Sequence, residues 1–115
     1  MAKLNYLELP VGQVAGACDF YGKAFGWSFT EYGPDYAAAE GGEVAIGLNG
    51  THDQGIKALL PLVEVEDLEL ALEKVVAAGG MVTVPIFAYP GGRRFHFTDP
   101  DGNGLGVFIN EPGEH

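Results

Sequence analysis

The feature that most constrains the fold is an order of elements that occurs twice. A strand, a helix and three short strands are predicted in residues 1–50, and the same order is predicted in residues 58–115. Shifting one half along the other by 54 residues places Val65 on Val11 and Gly80 on Gly26. Two copies of so long a period indicate a duplicated module and not a solenoid. The sequence therefore predicts one domain, 1–115, of two βαβββ modules joined by a polar connector at 51–57.

Hydrophobic periodicity places the helices and strands within each module. Apolar residues that recur every three or four positions predict one helix per module, and alternating apolar residues predict the strands. Gly26 stops the first helix, and the second helix begins after Asp67, a good N-cap, and ends at Gly79-Gly80. The apolar helix positions are Val14, Ala17, Cys18, Tyr21 and Phe25, then Leu68, Ala71, Leu72, Val75 and Val76. The predicted strands are 4–9, 27–32, 36–40 and 43–48, then 59–65, 81–87, 93–98 and 105–110.

The last predicted hairpin shows two different faces of the sheet. Phe95 and Phe97 lie on one face, because strand side chains alternate, and the other face carries Arg94, His96 and Thr98. Asp-Pro-Asp-Gly-Asn at 99–103 has the composition of a tight turn. The apolar face packs on helices, so we predict an α+β fold: a curved mixed sheet with its helices on the outer face and a central cleft. That cleft encloses a small molecule or a partner subunit.

The charge and composition exclude several classes of partner. The chain has sixteen acidic and six basic residues, and its formal net charge of −10 repels nucleic acid and anionic membrane surfaces. This acidity serves solubility or attracts a cationic ligand, and both interpretations stay open. Cys18 is the single cysteine, so the chain forms no internal disulfide. We expect a cytoplasmic protein, because no apolar run has membrane-spanning length and the N-terminus has no signal-peptide core.

Three motifs carry a resemblance to a known family. They are Asp-Phe-Tyr-Gly-Lys-Ala-Phe-Gly-Trp at 19–27, Val-Glu-Val-Glu-Asp at 63–67 and Phe-Thr-Asp-Pro-Asp-Gly-Asn at 97–103. Together they resemble the vicinal oxygen chelate superfamily, the group of glyoxalase, bleomycin-resistance and ring-cleaving dioxygenase proteins, over nearly the whole chain. The resemblance implies two βαβββ modules around a cleft and, for relatives of this length, a homodimer.

The resemblance also implies four metal-ligand positions. Metal-using members hold a divalent ion on His, Glu or Gln side chains from the first and last strand of each module. Matched motif to motif, these positions are Tyr6, Gly47, Leu60 and Gly106. Glycine and leucine have no donor side chain and a neutral tyrosine is a poor divalent ligand, so we expect no cofactor, as in the metal-free members. An atypical metal site of Glu8, His96 and either His52 or Glu64 is a disfavoured alternative.

Strand alternation gives the candidate ligand-binding residues of the cleft. Arg94 either holds a carboxylate, phosphate or phosphonate with two hydrogen bonds or pairs with a surface acid. Glu8 is either a general base or a solvated, ion-paired carboxylate. Fosfomycin-resistance relatives present ligand-contacting side chains at the hairpin positions of Arg94 and His96, which favours binding there. The full candidate set is Tyr6, Glu8, Leu60, Leu62, Arg94, His96 and Thr98.

Three functions stay open. The favoured one is a protein that binds a small molecule in a cleft without the usual divalent metal, as bleomycin-resistance relatives do. The alternative is a glyoxalase-type lyase or isomerase, or a dioxygenase-like enzyme, with an atypical metal site or with Glu8 and His96 as metal-free acid and base. The third is a regulatory or structural subunit whose own side chains fill the cleft.

Overall fold

The computed structural model describes residues 2–51 and 58–111, which form two compact units. One unit is Asn5–Leu60, and the other consists of residues 61–111 together with 2–4. Within each, a strand, a helix and three strands follow one another, so the prediction of an α+β fold with two βαβββ modules is confirmed. His52, most of the predicted connector and His115 lie outside the described residues.

The first unit packs one helix on a sheet of four strands. Its elements are β1 (Lys3–Pro10), α1 (Val14–Phe25), β2 (Thr30–Glu31), β3 (Tyr36–Ala39) and β4 (Ala45–Asn49). The strands lie in the order β2-β3-β4-β1, with β1 parallel to β4 and the other two pairs antiparallel. Parallel neighbours need a long crossover between them, which α1 and the two following strands supply here. The first and last strands of the module therefore lie side by side.

Helix α1 ends at the predicted residue but buries less of its apolar stripe than predicted. Gly26 follows the helix in the left-handed conformation, with φ of 75°, as a helix-stopping glycine should. Val14 is buried, whereas Phe25, at the other end of the apolar stripe, is 63% exposed. Its ring instead packs at the surface against Trp27, with 5.1 Å between the ring centroids, because the turn at Gly26 folds Trp27 back towards the helix.

The predicted strand 27–32 is mostly not a strand. Trp27 stacks on Tyr21 of α1, with 5.7 Å between the ring centroids and 18° between the ring planes. Because Trp27 stays against α1, the backbone at this residue does not extend along the edge of the sheet. Only Thr30 and Glu31 reach β3, where they pair with Ala38 and Ala37.

The second unit has the same construction. Its elements are β5 (Leu60–Glu64), α2 (Leu68–Ala77), β6 (Met81–Tyr89), β7 (Gly92–Thr98) and β8 (Gly104–Asn110), in the strand order β5-β8-β7-β6. The predicted N-cap is confirmed, because the Asp67 side chain accepts the backbone N–H of Leu70 at 3.0 Å. Leu68, Phe95 and Val107 are buried together between helix and sheet. Phe95 thus faces α2, and the alternate residues of β7 lie on the opposite face.

The predicted turn between β7 and β8 is present and is closed by Asp99. Its Oδ1 accepts the backbone N–H groups of Asp101 at 2.9 Å and Asn103 at 2.8 Å, and its Oδ2 accepts the Asn103 side-chain amide at 3.0 Å. These bonds, the one from the Asn103 side chain first, lower the pKa of the Asp99 carboxyl below its ordinary value. Across the described part of the chain, no helix has the length and apolar character needed to span a bilayer.

Candidate functional site

A glutamate in the middle of β1 is completely buried. Glu8 exposes 0% of its surface, although a carboxylate is costly to remove from water unless hydrogen bonds replace its hydration. The register of the parallel pair β1 and β4 places Glu8 beside Gly47. The interpretation of Glu8 as a solvated carboxylate is therefore wrong, and its protein neighbours must satisfy it.

Neighbouring residues of the same unit surround this carboxylate. We call them the Glu8 cluster: Tyr6, Glu8, Tyr36, Gly47 and Asn49. Tyr36 Oη donates to Glu8 Oε1 at 3.1 Å, and Asn49 Nδ2 donates to Glu8 Oε2 at 3.0 Å. The hydroxyl oxygens of Tyr6 and Tyr36 are 2.5 Å apart. Each carboxylate oxygen thus receives a hydrogen bond, which is the condition for keeping a charge in the interior.

The orientation of the Asn49 side chain is set from its other end. Thr51 donates both its backbone N–H, at 2.9 Å, and its hydroxyl, at 2.7 Å, to Asn49 Oδ1. A backbone N–H can only donate, so the amide oxygen must face Thr51 and the NH₂ group must face Glu8. The amide therefore has one orientation in which both contacts are satisfied.

Tyr36 is held as a neutral phenol. Burial raises the pKa of Tyr36 well above its ordinary value, and the neighbouring charge of Glu8 and the contact with Tyr6 raise it further. An ionised phenolate beside the carboxylate would place two like charges in a half-buried site. Tyr36 therefore keeps its proton for the bond to Glu8.

The metal-ligand position on the last strand of the first module does not fit a divalent ion. Gly47 has no donor, and a Cβ built there would lie 2.0 Å from the Tyr36 hydroxyl oxygen and 2.6 Å from the Tyr6 hydroxyl oxygen. The two phenols occupy the volume in which a His, Glu or Gln side chain at position 47 would begin. Neutral phenols are poor ligands for divalent ions, so the residues present do not form the family's metal site.

The corresponding positions of the second module are filled by leucine. The pair β5 and β8 places Leu62 beside Gly106, and a Cβ on that glycine would lie 2.4 Å from Leu62 Cδ2. Leu62 is 1% exposed and Leu60 is 8% exposed, so both are packing residues. Apolar groups here offer a divalent ion no ligand.

The atypical metal site receives no support from the residues described. Within 2–51 and 58–111, no three His, Cys, Asp or Glu side chains lie close enough together to hold a metal ion. Glu64 accepts a hydrogen bond from Asn110 Nδ2 at 3.0 Å. Glu8 and His96 belong to different units, and His52 lies outside the described residues.

The second unit holds an arginine against two aromatic rings. The Arg94 guanidinium carbon is 5.5 Å from the ring centroid of Phe87 and 5.7 Å from that of Tyr89, both within cation–π range. Phe87 lies opposite Arg94 in the β6 and β7 pair. His96, 6% exposed, meets the Phe87 ring edge-on at 5.7 Å. These contacts restrict the guanidinium to few orientations, and they lie on the face away from Phe95, with Thr98 half-buried further along β7.

The adjacent Arg93 faces the helix side and forms surface ion pairs. Its guanidinium contacts the carboxylates of Glu69 and, at 2.8 and 2.9 Å, Glu111. The hydrogen bonds from Arg93 lower the pKa of both carboxyls below the ordinary value.

Sequence reasoning placed Tyr6 and Glu8 on one face of β1 but missed Tyr36 and Asn49. The sequence holds two signals for Asn49. Asn49 follows Gly47 by two residues, so both lie on the same face of β4, and a glycine inside a strand often marks the close approach of another group. Nothing local to Tyr36 shows that its hydroxyl reaches position 47.

Comparison with known proteins gives one family and several similar folds. Residues 3–107 match the family model of the Glyoxalase/Bleomycin resistance protein/Dioxygenase superfamily. A Mycobacterium bovis protein with the name Putative glyoxylase CFP32 is 25% identical over 120 residues, which cover 90% of this chain and 44% of that protein. The chain thus spans less than half the length of this curated relative.

Two solved structures illustrate the shared fold. Methylmalonyl-CoA epimerase from Mycobacterium tuberculosis superposes with a TM-score of 0.76 at 13% identity, covering 95% of this chain and 88% of the epimerase. A glyoxalase/bleomycin resistance protein/dioxygenase superfamily member from Vibrio splendidus 12B01 superposes with a TM-score of 0.69 at 14% identity, covering 96% of this chain and 100% of that chain. At these identities the likeness shows the fold alone.

Proposed function

The chain belongs to the glyoxalase/bleomycin resistance protein/dioxygenase superfamily, and on this premise we propose that it binds a small organic molecule without that superfamily's usual divalent metal. The observation that carries the proposal is the packing at Gly47. The Tyr36 hydroxyl occupies the place where a metal-ligating side chain would begin, and it is tied there to Glu8. A preorganised polar cluster whose half-buried members are phenols supports a binding surface better than an incomplete metal site.

Two surfaces, one in each unit, support ligand binding. In the first unit, the supporting observation is that Tyr6 and Tyr36 of the Glu8 cluster are half-buried and carry two phenols that contact each other. In the second unit, Phe87 and Tyr89 hold the Arg94 guanidinium, whose planar fork suits a carboxylate or phosphate. We propose each surface separately as a binding contact for part of a small molecule.

The metal-free part of the proposal is tested by thermal unfolding of chelator-treated protein with and without Ni²⁺, Zn²⁺, Mn²⁺ and Fe²⁺. A ligand that binds only the folded state stabilises it by about 2.7 kcal/mol at a hundredfold excess over Kd. We expect no saturable rise in Tm with any of these ions. A variant that lacks His115 controls for binding at the chain end. A saturable rise with one ion that Glu8→Gln abolishes would contradict the proposal.

The binding part is tested by calorimetry against a panel of small aromatic amines, amides and carboxylates. Tyr6→Phe should weaken the binding of ligands to the first surface. Tyr32→Phe, which removes an exposed hydroxyl bonded to Glu40, should leave that binding unchanged. Arg94→Lys should weaken the binding of ligands that have a carboxylate or phosphate, while Arg93→Lys should leave it unchanged. Absence of heat with the whole panel would favour the regulatory or structural subunit.

A second candidate function is metal-free acid–base catalysis. The observation in its favour is the row of hydroxyls from Tyr6 through Tyr36 to Glu8, which is a short path for a proton. The curated relative is named a glyoxylase and one similar structure is an epimerase, so glyoxalase and methylmalonyl-CoA epimerase assays are the first to run. Unchanged turnover in Glu8→Gln and His96→Ala would rule out both residues as the acid and base.

We also propose that the protein is a homodimer, as the family resemblance implies, and that it is cytoplasmic, as its sequence led us to expect. The net charge of −10 supports the proposal that the protein binds neither nucleic acid nor anionic membranes. Light scattering at micromolar concentration should give twice the mass of the 12.2 kDa chain. A single-chain mass would refute the dimer.

A further inference from the structure

The side of helix α1 that faces away from its sheet is more apolar than a surface helix normally is. The helix contains one acidic and one basic residue, Asp19 and Lys23, and these pair with each other at 3.1 Å. A surface helix normally presents several charged and polar side chains to water. The other exposed residues on this side are Ala15, Gly16, Phe20 and Ala24. This side of α1 therefore has the composition of a contact surface.

The same side of α1 combines a projecting ring with an open groove. The groove, of about 370 Å³, is lined by Gly16, Asp19, Phe20, Lys23 and Ala24. Gly16 lies one turn before Phe20 and Ala24 lies one turn after it, so the three form one ridge along the helix surface. Nothing lies within 4 Å of a Cβ built at Gly16. The ridge thus has a large side chain at its centre and room on both sides.

Aromatic rings extend this surface beyond the end of the helix. Phe20 meets Tyr21 edge-on at 5.0 Å, Tyr21 stacks on Trp27, and Trp27 contacts Phe25. Phe20 is 61% exposed and Trp27 is 38% exposed. Because a covered aromatic side chain buries about 150–250 Å², the rings of Phe20, Phe25 and Trp27 leave on the order of 300 Å² open to water. That is a large part of the roughly 800 Å² that each partner buries in a stable interface.

We propose that this side of α1 is the contact between two copies of the chain, with their α1 helices antiparallel about a two-fold axis at Phe20. A two-fold contact needs a surface that is complementary to itself. Rotation about Phe20 sets Gly16 of one copy against Ala24 of the other on both sides of the axis, and it brings the two Phe20 rings together. The inference rests on the homodimer proposed above, for which it supplies the interface.

The charge distribution favours a second copy as the occupant. Two chains of net charge −10 repel each other, whereas α1 carries no net charge and lets two copies approach. In the antiparallel pair, Lys23 of one copy and Asp19 of the other differ in height by about 3 Å along the helix axis, within reach of a lysine side chain. The pair that forms within each helix can therefore form across the interface instead.

The first measurement is the dimer Kd of variants by analytical ultracentrifugation. Glutamine is a better helix former than glycine, so Gly16→Gln should leave the circular dichroism of the folded chain unchanged. Its side chain fills the groove, and we expect Kd to rise about tenfold or more. Phe20→Glu places two carboxylates at the axis and should raise Kd at least about thirtyfold. Leu70→Glu, the matched change at an exposed leucine of α2, should leave Kd unchanged.

A disulfide across the interface locates the axis. In a Cys18→Ala background, Phe20→Cys should give a covalent dimer on mild oxidation. Helices packed about 8–10 Å apart bring the Cα atoms of facing residues within the span of a disulfide. Leu70→Cys in the same background is the control, and it should stay unlinked.

Charge exchange distinguishes a direct contact from an effect on the helix itself. Asp19→Lys and Lys23→Asp each break the pair within α1 and set like charges across the axis, so each variant alone should dimerise weakly. An equal mixture of the two should form the heterodimer, because opposite charges then face each other at both ends. A loss of helix stability alone would not be restored by mixing.

The opposite results separate this interface from the homodimer and from ligand binding. A wild-type chain that stays monomeric refutes the homodimer and this interface together. A dimer that Phe20→Glu and Gly16→Gln leave intact refutes this interface alone. Absence of both the Phe20→Cys disulfide and the rescue on mixing overturns the antiparallel arrangement. Ligand binding is decided separately by the calorimetry described above.

Discussion

Replacement of Gly47 by alanine is the sharpest test of the cluster. The added Cβ would lie 2.0 Å from the Tyr36 hydroxyl oxygen and 2.8 Å from its Cζ atom. Contacts under 3.0 Å do not occur at a real Cβ, so the phenol must retreat by at least 1.0 Å. Tyr36 is bonded to both Tyr6 and Glu8, and a shift of that size lengthens or breaks one of these bonds.

The magnitude follows from three contributions. Forcing an extra carbon into a packed site costs about 1–3 kcal/mol. Weakening the donor to a buried carboxylate costs about another 1–3 kcal/mol. Alanine is favoured over glycine inside a strand by about 0.5–1 kcal/mol, which offsets part of this. We expect Gly47→Ala to lower the free energy of unfolding by about 1–5 kcal/mol. At about 4 °C per kcal/mol for a chain of this length, Tm falls by about 4–20 °C.

Urea unfolding followed by circular dichroism measures the change, with Gly104→Ala as the matched control. Gly104 also lies in a strand, but nothing is within 4 Å of a Cβ built there, so its replacement should not destabilise the protein and should raise its stability by at most about 0.5–1 kcal/mol. Gly47→Ala and Tyr36→Phe should be less than additive, because both disturb the same bond to Glu8. Equal costs for the two glycine variants, or full additivity, would refute the packing described at position 47.

Three further predictions concern the second unit. Gly92→Ala should destabilise the protein severely, since the new Cβ would lie 2.0 Å from the Ile109 carbonyl oxygen, and a urea midpoint equal to wild type would contradict this. Asp67→Ala removes the cap of α2 and should cost about 1 kcal/mol, while Asp67→Asn, which caps equally well, should cost much less in the same assay. Arg93 lowers the folded-state pKa values of Glu69 and Glu111, so its stabilisation is present above their ordinary value of 4.5 and is lost as pH falls through the lowered values. The stability difference between wild type and Arg93→Gln should therefore shrink below pH 4.5, and a difference that stays constant or grows on acidification would contradict the ion-pair account.

The family's metal-ligand positions separate what the sequence determines from what the structure adds. The residue types at Gly47, Leu60 and Gly106 already exclude side-chain ligands there. The structure adds the reason that these positions are small, which is that a tyrosine hydroxyl or a leucine methyl fills the adjacent space. A glycine in a strand is thus explained by the group that packs against it. The sequence shows the glycine, but it does not show which side chain occupies the space beside it.

Local patterns in the sequence were sufficient for the order of elements and for several of their ends. The duplicated βαβββ order, the stop at Gly26, the cap at Asp67 and the turn at 99–103 depend on residues within a few positions of one another, so their geometry can be inferred without knowing the fold. The Glu8 cluster depends on pairs that are far apart in the chain, 30 residues between Tyr6 and Tyr36 and 41 between Glu8 and Asn49. Strand alternation predicts which way these side chains point, but only the pairing of β1, β3 and β4 brings their polar atoms within hydrogen-bonding distance. The tertiary structure alone therefore decided that Glu8 is buried, that Tyr36 stands where a metal ligand would, and in which direction the hydrogen bonds run.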